Sequence, residues 1–390
     1  MKQGGPPTLP IRVADFFCGC GGTSAGLRLA GMQVVLGLDN DPDSSSTFRL
    51  NFPNAAFIER DIRQVKPKEI AEQIGSAPGP LLISACAPCQ PYSTFSSAKR
   101  DDPRRSLLLR LIPVVKLLNP EFVLVENVPG LGTGTAPGDI FNRFYKALNK
   151  FGYHIATAVV DCQTYGVPQR RRRLIIMASR LGPIKLPEPT HGRGILLPVS
   201  TVGEWISDLP PISSGQIHPD VPNHVASALT DLNMKRIRAT PEGGGRADWP
   251  VELRLACHEN HRGHSDVYGR MRLDAPAPAL TTKCTSISNG RFGHPTQDRP
   301  ISVREAACLQ TFPRDYRFVG GIKSATRQVG NAVPVLLAQR IGEAFKHHLS
   351  SVLAASNGSK ELFPYELDPQ TQARPFAENS GSTTALVAEF

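Results

Sequence analysis

Along the first 180 residues short apolar runs recur, and most are separated by polar or helix-spaced stretches. Residues 11–17 form such a run and end in the glycine-rich segment Cys18-Gly19-Cys20-Gly21-Gly22. Residues 23–30 then carry apolar positions at helical spacing, closed by Gly31 as the residue just past the helix. Residues 33–38 predict a second strand ending at Asp39, and residues 55–59 a third ending at Asp61. Residues 81–85 predict a fourth ending before Cys89, and residues 122–125 a fifth ending at Glu126, with a helix over 107–118 before it. This alternation predicts an α/β fold, a Rossmann-like, doubly wound, mostly parallel sheet. After Gly152 the pattern changes. Residues 155–161 and 173–178 read as strands on either side of Tyr165-Gly-Val-Pro-Gln-Arg and predict antiparallel pairing at the sheet's end.

From 181 to 296 the chain is rich in Pro, Gly, His and Arg and has few long periodic segments, which predicts a smaller, loop-rich second domain. Helical spacing returns at 303–309 and more strongly at 333–349, where Val335, Leu336, Ala338, Ile341, Ala344 and Phe345 share a face. The segment 353–390 is polar and predicts a mostly disordered tail. The expected organisation is therefore 1–180, then 181–296, then a return over 297–352, then the tail.

Composition adds limits. The 390 residues are 40% hydrophobic and 20% charged, the profile of a globular chain. At ~150 residues per domain there is room for two or three. No apolar stretch approaches the ~18 residues of a membrane span. Even residues 107–115 are cut by Arg110 and Pro113, and the first ten residues hold no apolar signal core, so a cytoplasmic protein is expected. Lys and Arg number 44 against 34 Asp and Glu, a net charge of +10. That surplus suits a polyanionic partner, although a solvated basic surface accounts for it equally well. The eight cysteines predict reduced thiols rather than a disulfide framework. Cys86-Ala-Pro-Cys89 has the spacing of a redox pair or of half a zinc site, and Cys257-His258-x-x-His261-x-x-His264 is the one metal-like cluster. The latter lies in a Gly- and Asn-rich loop, where surface histidines are ordinary, and no metal is expected.

In open parallel sheets ligands bind beyond the carboxyl ends of the strands. The Gly19-x-Gly21-Gly22 loop presents backbone N–H groups at a helix start, and Asp39, about twenty positions on, is placed for ribose hydroxyls. Ser24 stands where a dinucleotide fingerprint has its third glycine, so the pattern points to an adenosyl cofactor instead, with Asp61 available to an adenine amino group. Cys89 follows the fourth strand in Pro88-Cys89-Gln90-Pro91, a stiff extended segment, and is a candidate nucleophile, with Glu126 at the next strand end as its acidic neighbour.

Six segments, in this order, resemble the motif series of the DNA (cytosine-5)-methyltransferases: the stretch Asp15 to Leu27, Pro88-Cys89-Gln90, Glu126-Asn127-Val128, Gln169-x-Arg171-x-Arg173, Arg304-Glu305-Ala-Ala-x-Leu309-Gln310-x-Phe312-Pro313, and Gln328-x-Gly330-Asn331-Ala-Val-Pro334. The resemblance spans residues ~11 to ~350 and, because several motifs occur together, is specific. It implies the class I methyltransferase fold, with S-adenosylmethionine held by Phe17, Cys18, Gly19, Cys20, Gly21 and Gly22. Asp39 would meet the ribose and Asp61 with Ile62 the adenine, with Pro88 and Leu107 also lining the pocket and Asn331 and Ala332 closing it. Asn40 departs from the aromatic residue common at its position. Cys89 would add to C6 of cytosine, Glu126 would contact N3 and the exocyclic amine, Gln90 would adjoin the nucleophile, and Arg171 and Arg173, two residues apart, would point together into the site. The target base must leave the stack for this chemistry.

The resemblance also implies double-stranded DNA as substrate, a target-recognition role for the second domain, and a restriction–modification context with a functionally paired endonuclease that makes no stable contact. A monomer associated with the nucleoid is expected. Candidate DNA contacts are Ser93, Ser96, Arg100 and Arg104 in the polar segment after Cys89, and His261, Arg270, Arg272, Lys283 and Arg291 in the second domain, with Tyr268 and Thr285 beside them. Rival readings are a tRNA cytosine-5 methyltransferase, a catalytically inactive relative that only binds DNA, and a thiol- or zinc-based redox protein. Intact Cys89 and Glu126 argue against the inactive relative, and the long insert at 181–296 argues for DNA.

Overall fold

A computed structural model of the chain describes residues 9–88, 103–131, 140–192, 194, 197–255 and 266–356. Its centre is a seven-stranded sheet in the order β3-β2-β1-β4-β5-β8-β6. The strands are β1 (Arg12–Phe16), β2 (Gln33–Asp39), β3 (Ala56–Glu59), β4 (Leu81–Ala85), β5 (Phe122–Asn127), β6 (His154–Asp161) and β8 (Arg172–Ser179). All run parallel except β8, which is antiparallel to both of its neighbours, β5 and β6. The antiparallel pairing expected after Gly152 is present, but the later strand inserts between β5 and β6 and leaves β6 at the edge. A separate parallel pair joins β7 (Gln169–Arg170) to β9 (Ala277–Pro278), tying the end of the first 180 residues to the loop-rich region.

The central strands β1, β4 and β5 are buried on both faces because both are covered, as parallel sheets require. Ala14, Ile83, Val123 and Ile176 look to one side, where α3 (Pro67–Ile74), α4 (Leu111–Leu118) and α5 (Ile140–Lys150) supply Ile70, Leu111, Phe144 and Leu148. Val13, Leu82, Leu124 and Met177 look to the other, against Leu27 of α1 (Gly22–Leu29) and Leu337, Ile341 and Phe345 of α10 (Val335–Ala355). The helix expected over 107–118 is instead a 3-10 segment, Pro103–Arg110, followed by α4. Pro113 explains where the α-helix begins, since a residue without an N–H is tolerated in a first turn.

Between 181 and 296 the described residues carry, besides β9, the short helices α6 (Val202–Ile206) and α7 (Asp231–Arg238) and a few single-turn segments. This region's apolar residues Val202, Ile206, Met271, Leu280 and Phe292 share one core with α8 (Val303–Leu309), α9 (Ile322–Asn331) and, from the early chain, α2 (Pro42–Asn51) with Cys18, Cys20 and Phe52. That shared core sets the loop after β1 against the returning chain. Helix α8 starts at a capping box: Ser302 Oγ accepts from Glu305 N at 3.0 Å, and Glu305 Oε2 accepts from Ser302 N at 2.7 Å. Helix α10 runs on to Ala355, three residues past the expected boundary.

Candidate active site

Beyond the carboxyl ends of β1 to β4, around the point where strand order reverses, lies a cavity of about 370 Å³. Four turns line it in succession: Phe17 to Cys20 with Gly22 after β1, Leu38 to Asp41 after β2, Arg60 to Arg63 after β3, and Cys86 to Pro88 after β4. Leu107 and, from the C-terminal return, Arg327, Gln328, Asn331, Ala332 and Val333 complete the wall. The first two turns are joined by Asp39, whose carboxylate accepts from Gly19 N at 2.8 Å and from Asp41 N at 2.9 Å. Burial raises the pKa of Asp39 and these backbone donors pull it back down. Asp41 caps α2, accepting from Ser44 N at 2.9 Å, and pairs with Arg327 at 2.7 Å. Asp61 caps the next turn and holds the Arg63 guanidinium at 2.9 and 3.1 Å from Nε.

Every residue expected to hold the cofactor lines this cavity except Gly21. That residue is left-handed, with φ +88°, and a Cβ there would lie 2.7 Å from the Phe52 ring and 2.8 Å from Tyr316 Oη. It therefore shapes the loop from behind, where Tyr316 Oη donates to the Cys20 carbonyl. Burial pushes the Cys20 thiol up to about 12 and Cys18 well above its ordinary value, so both serve as small neutral walls. The sequence reading missed Arg60, Arg63, Arg327 and Gln328. Gln328 opens a motif quoted above and carried that signal; the arginines carried none.

The cavity fits an adenosyl sulfonium cofactor. Asp39 keeps unused lone pairs on both oxygens, as hydroxyl recognition requires. Gln328 also lines the wall, and its buried Oε1 has no hydrogen-bond partner among the described residues. Its Nε2 is already occupied, donating to Val319 O at 2.8 Å.

Beside the cavity, Glu126 closes β5. Its Oε1 accepts from Arg173 Nε at 2.8 Å and its Oε2 from the Cys86 thiol at 2.9 Å. Asn127 Nδ2 donates to Ala87 O at 2.9 Å, fixing the turn that leads to Pro88 against the end of β5. Cys89, Gln90, Ser93, Ser96, Arg100 and His261, together with the cluster from Cys257 to His264, lie outside the described residues, as does the side chain of Arg104. Among the described residues no group of three His, Cys, Asp or Glu is placed to hold a metal ion, and no helix is long and apolar enough to cross a membrane.

Four expectations need correction. Arg171 does not accompany Arg173: the run breaks between β7 and β8, and the Arg171 guanidinium turns to the carbonyls of Leu280 at 3.0 Å, Ala332 at 3.2 Å and Gly330 at 3.4 Å. It supports the cavity wall rather than Glu126. Arg270 cannot reach DNA as it stands, being 4% exposed and spent on the carbonyls of Thr240, His294 and Ile237 and on Asp298. Thr285, likewise buried, bonds Thr326 at 2.9 Å. Arg291 is largely turned inward to the carbonyls of Gly243 and Gly244, both at 2.6 Å. Arg272, paired with Asp274, and Lys283 remain exposed.

The sheet order with a single reversed strand is that of the class I methyltransferases, and solved structures agree. A prophage-encoded protein of Escherichia coli described as a DNA modification methyltransferase superposes with a TM-score of 0.66 at 22% identity, over 87% of this chain and 99% of the other. The profile of the family described as C-5 cytosine-specific DNA methylase matches residues 11–347. The Type II methylase M.HgiDII of Herpetosiphon aurantiacus is 40% identical over 348 residues, 87% of this chain and 96% of the relative. The Type II methyltransferase M1.HphI of Haemophilus parahaemolyticus is 32% identical over 343 residues, 86% and 87% of the two chains. The chain belongs to the C-5 cytosine-specific DNA methylase family and is a DNA (cytosine-5)-methyltransferase.

Proposed function

We propose that the protein methylates C5 of a flipped-out cytosine within a specific double-stranded DNA sequence, as the modification enzyme of a restriction–modification system. The observation that carries this is the Glu126 carboxylate, held on both oxygens at the end of β5 and tied through Asn127 to the turn that runs into Pro88 and Cys89. Cytosine C5 is a weak nucleophile. Addition of the Cys89 thiolate to C6 raises electron density at C5, and Glu126 stabilises the ring by contact with N3 and the exocyclic amine. Asp39, Asp61, the loop after β1 and the Gln328 to Ala332 wall would hold S-adenosylmethionine, which would supply an electrophilic methyl group and yield S-adenosylhomocysteine. Loss of the C5 proton and elimination of Cys89 then free the product base.

The region 181–296 is the target-recognition domain in this reading, with exposed Arg272 and Lys283 as remaining candidates from its described part. The enzyme acts as a cytoplasmic monomer, and its paired endonuclease makes no stable contact with it. Expression in a methylation-free bacterial host followed by bisulfite sequencing tests activity and reads the recognition sequence together; an unmethylated genome with active tRNA methylation would refute it. Cys89→Ser abolishes methyl transfer while the affinity for S-adenosylhomocysteine, measured by calorimetry, stays within about twofold, because that thiol acts on the base. Retained turnover in this variant would rule out the covalent route.

A further inference from the structure

Glu126 is gripped from two different elements. Arg173, on antiparallel β8, takes Oε1, and Cys86, on the turn leaving parallel β4, takes Oε2. A carboxylate oxygen accepts about two hydrogen bonds, so each retains one open direction. Partners on both oxygens fix the rotation of the carboxylate about its last bond and hence the plane in which those open directions lie. The base edge that Glu126 is proposed to meet is itself planar, so this rotation decides whether both contacts form at once. Cys86 also lines the cofactor cavity and is half-buried, which places its thiol at the seam between the two halves of the site. A small thiol that merely fills a gap is the ordinary use of cysteine. Here the Sγ points at a carboxylate oxygen at 2.9 Å, and the following carbonyl, that of Ala87, is pinned to the neighbouring Asn127.

We propose that Cys86 is a positioning residue for methyl transfer, its thiol donating to Glu126 Oε2 and setting the carboxylate plane for the target cytosine. This rests on the reading of Glu126 given above. The thiol forms no covalent bond in this role.

The test is a double-mutant cycle on the full chain with unmethylated bacterial genomic DNA and a radiolabelled methyl donor, read as single-turnover rate, with S-adenosylhomocysteine affinity measured by calorimetry. Cys86→Ala slows methyl transfer about 3- to 10-fold, the worth of one modest hydrogen bond, and leaves that affinity within about twofold of wild type. Cys86→Ser, which keeps a donor, restores at least half of the lost rate. Glu126→Gln slows transfer by about 100-fold or more, and adding Cys86→Ala to it costs less than about twofold further, because the acceptor that the thiol oriented has changed. Additive losses overturn the inference, as does a serine variant no faster than the alanine one, or a Cys86→Ala variant that loses cofactor affinity at an unchanged rate. A Glu126→Gln enzyme at wild-type speed overturns the reading of Glu126 and this inference with it, whereas additivity on top of a slow Glu126→Gln overturns this inference alone.

Discussion

At the scale of single residues, the polar groups inside the sheet mark where chemistry and stability diverge. Asp15, on β1, is fully buried, accepts from Ser24 Oγ at 2.7 Å, and has its pKa pushed up to about 6, chiefly by burial. An unfolded aspartate titrates near ~3.9, so between about pH 4 and pH 6 the folded state holds a proton that the unfolded state has lost. Stability against unfolding therefore falls as pH rises through that window, by on the order of 3 kcal/mol, and the loss is complete above it. Asp15→Asn removes this dependence. Urea denaturation at matched pH should show the variant gaining on the wild type from pH 4 to pH 7, and a constant difference across that range would show that the carboxyl does not titrate there. Asp39 and Glu126 were legible in the sequence because each is the polar residue at the end of an apolar run, and Asp61 because it follows the third strand within two residues. Arg171, Arg270 and Arg291 were misread for a complementary reason. A guanidinium has five donors and turns inward wherever unpaired carbonyls gather, and nothing local in the sequence says where that is.

Elements show the same division. Helix α1 was plain from its spacing, but its partner was not. A Cβ on Gly26 would lie 2.2 Å from the Val335 carbonyl oxygen and 2.5 Å from Ala338 Cβ, so α1 and α10 cross with backbones nearly in contact. Both neighbours belong to a packed helix and cannot give way cheaply. Gly26→Ala should cost about 1–3 kcal/mol or more by overpacking, measured by denaturant unfolding, and should loosen cofactor binding because α1 begins at the cavity loop. A variant as stable as wild type would show that the crossing relaxes. Helix α9 escaped the sequence reading for identifiable reasons: it spans ten residues, starts at Gly321 without a side-chain cap, and offers only Ile322, Ala325 and Val329 as an apolar stripe. Yet it brings Arg327, Gln328 and Asn331 to the cavity. Among the loop-rich residues after 181, short capped turns and isolated bridges replace periodic elements, and periodicity has little to read there.

For the whole molecule the net charge of +10 acquires a meaning that composition alone withheld. Phosphate contacts release condensed counterions, so binding to duplex DNA should weaken steeply as salt rises from about 50 to 200 mM. Neutralising exposed Arg272 or Lys283 should make that slope shallower by about one unit each if they touch phosphate, whereas Arg270→Ala should lower stability and leave the slope unchanged. Fluorescence anisotropy across a salt series checks both. What the sequence by itself determined was the alternating α/β order, the glycine-rich turn, and the chemistry standing at the strand ends. Those features depend on local apolar patterning and on residue identity at short range. Tertiary structure alone decided the insertion of β8 between β5 and β6, the approach of Arg327 on α9 to the cavity, the inward turn of Arg171 and Arg270, and the thiol that meets Glu126. Each joins atoms far apart in the chain, across 40 residues for Cys86 and Glu126 and 159 for Arg171 and Gly330, and pairings of that kind are selected by packing and by the need to satisfy buried polar groups, which no local pattern encodes.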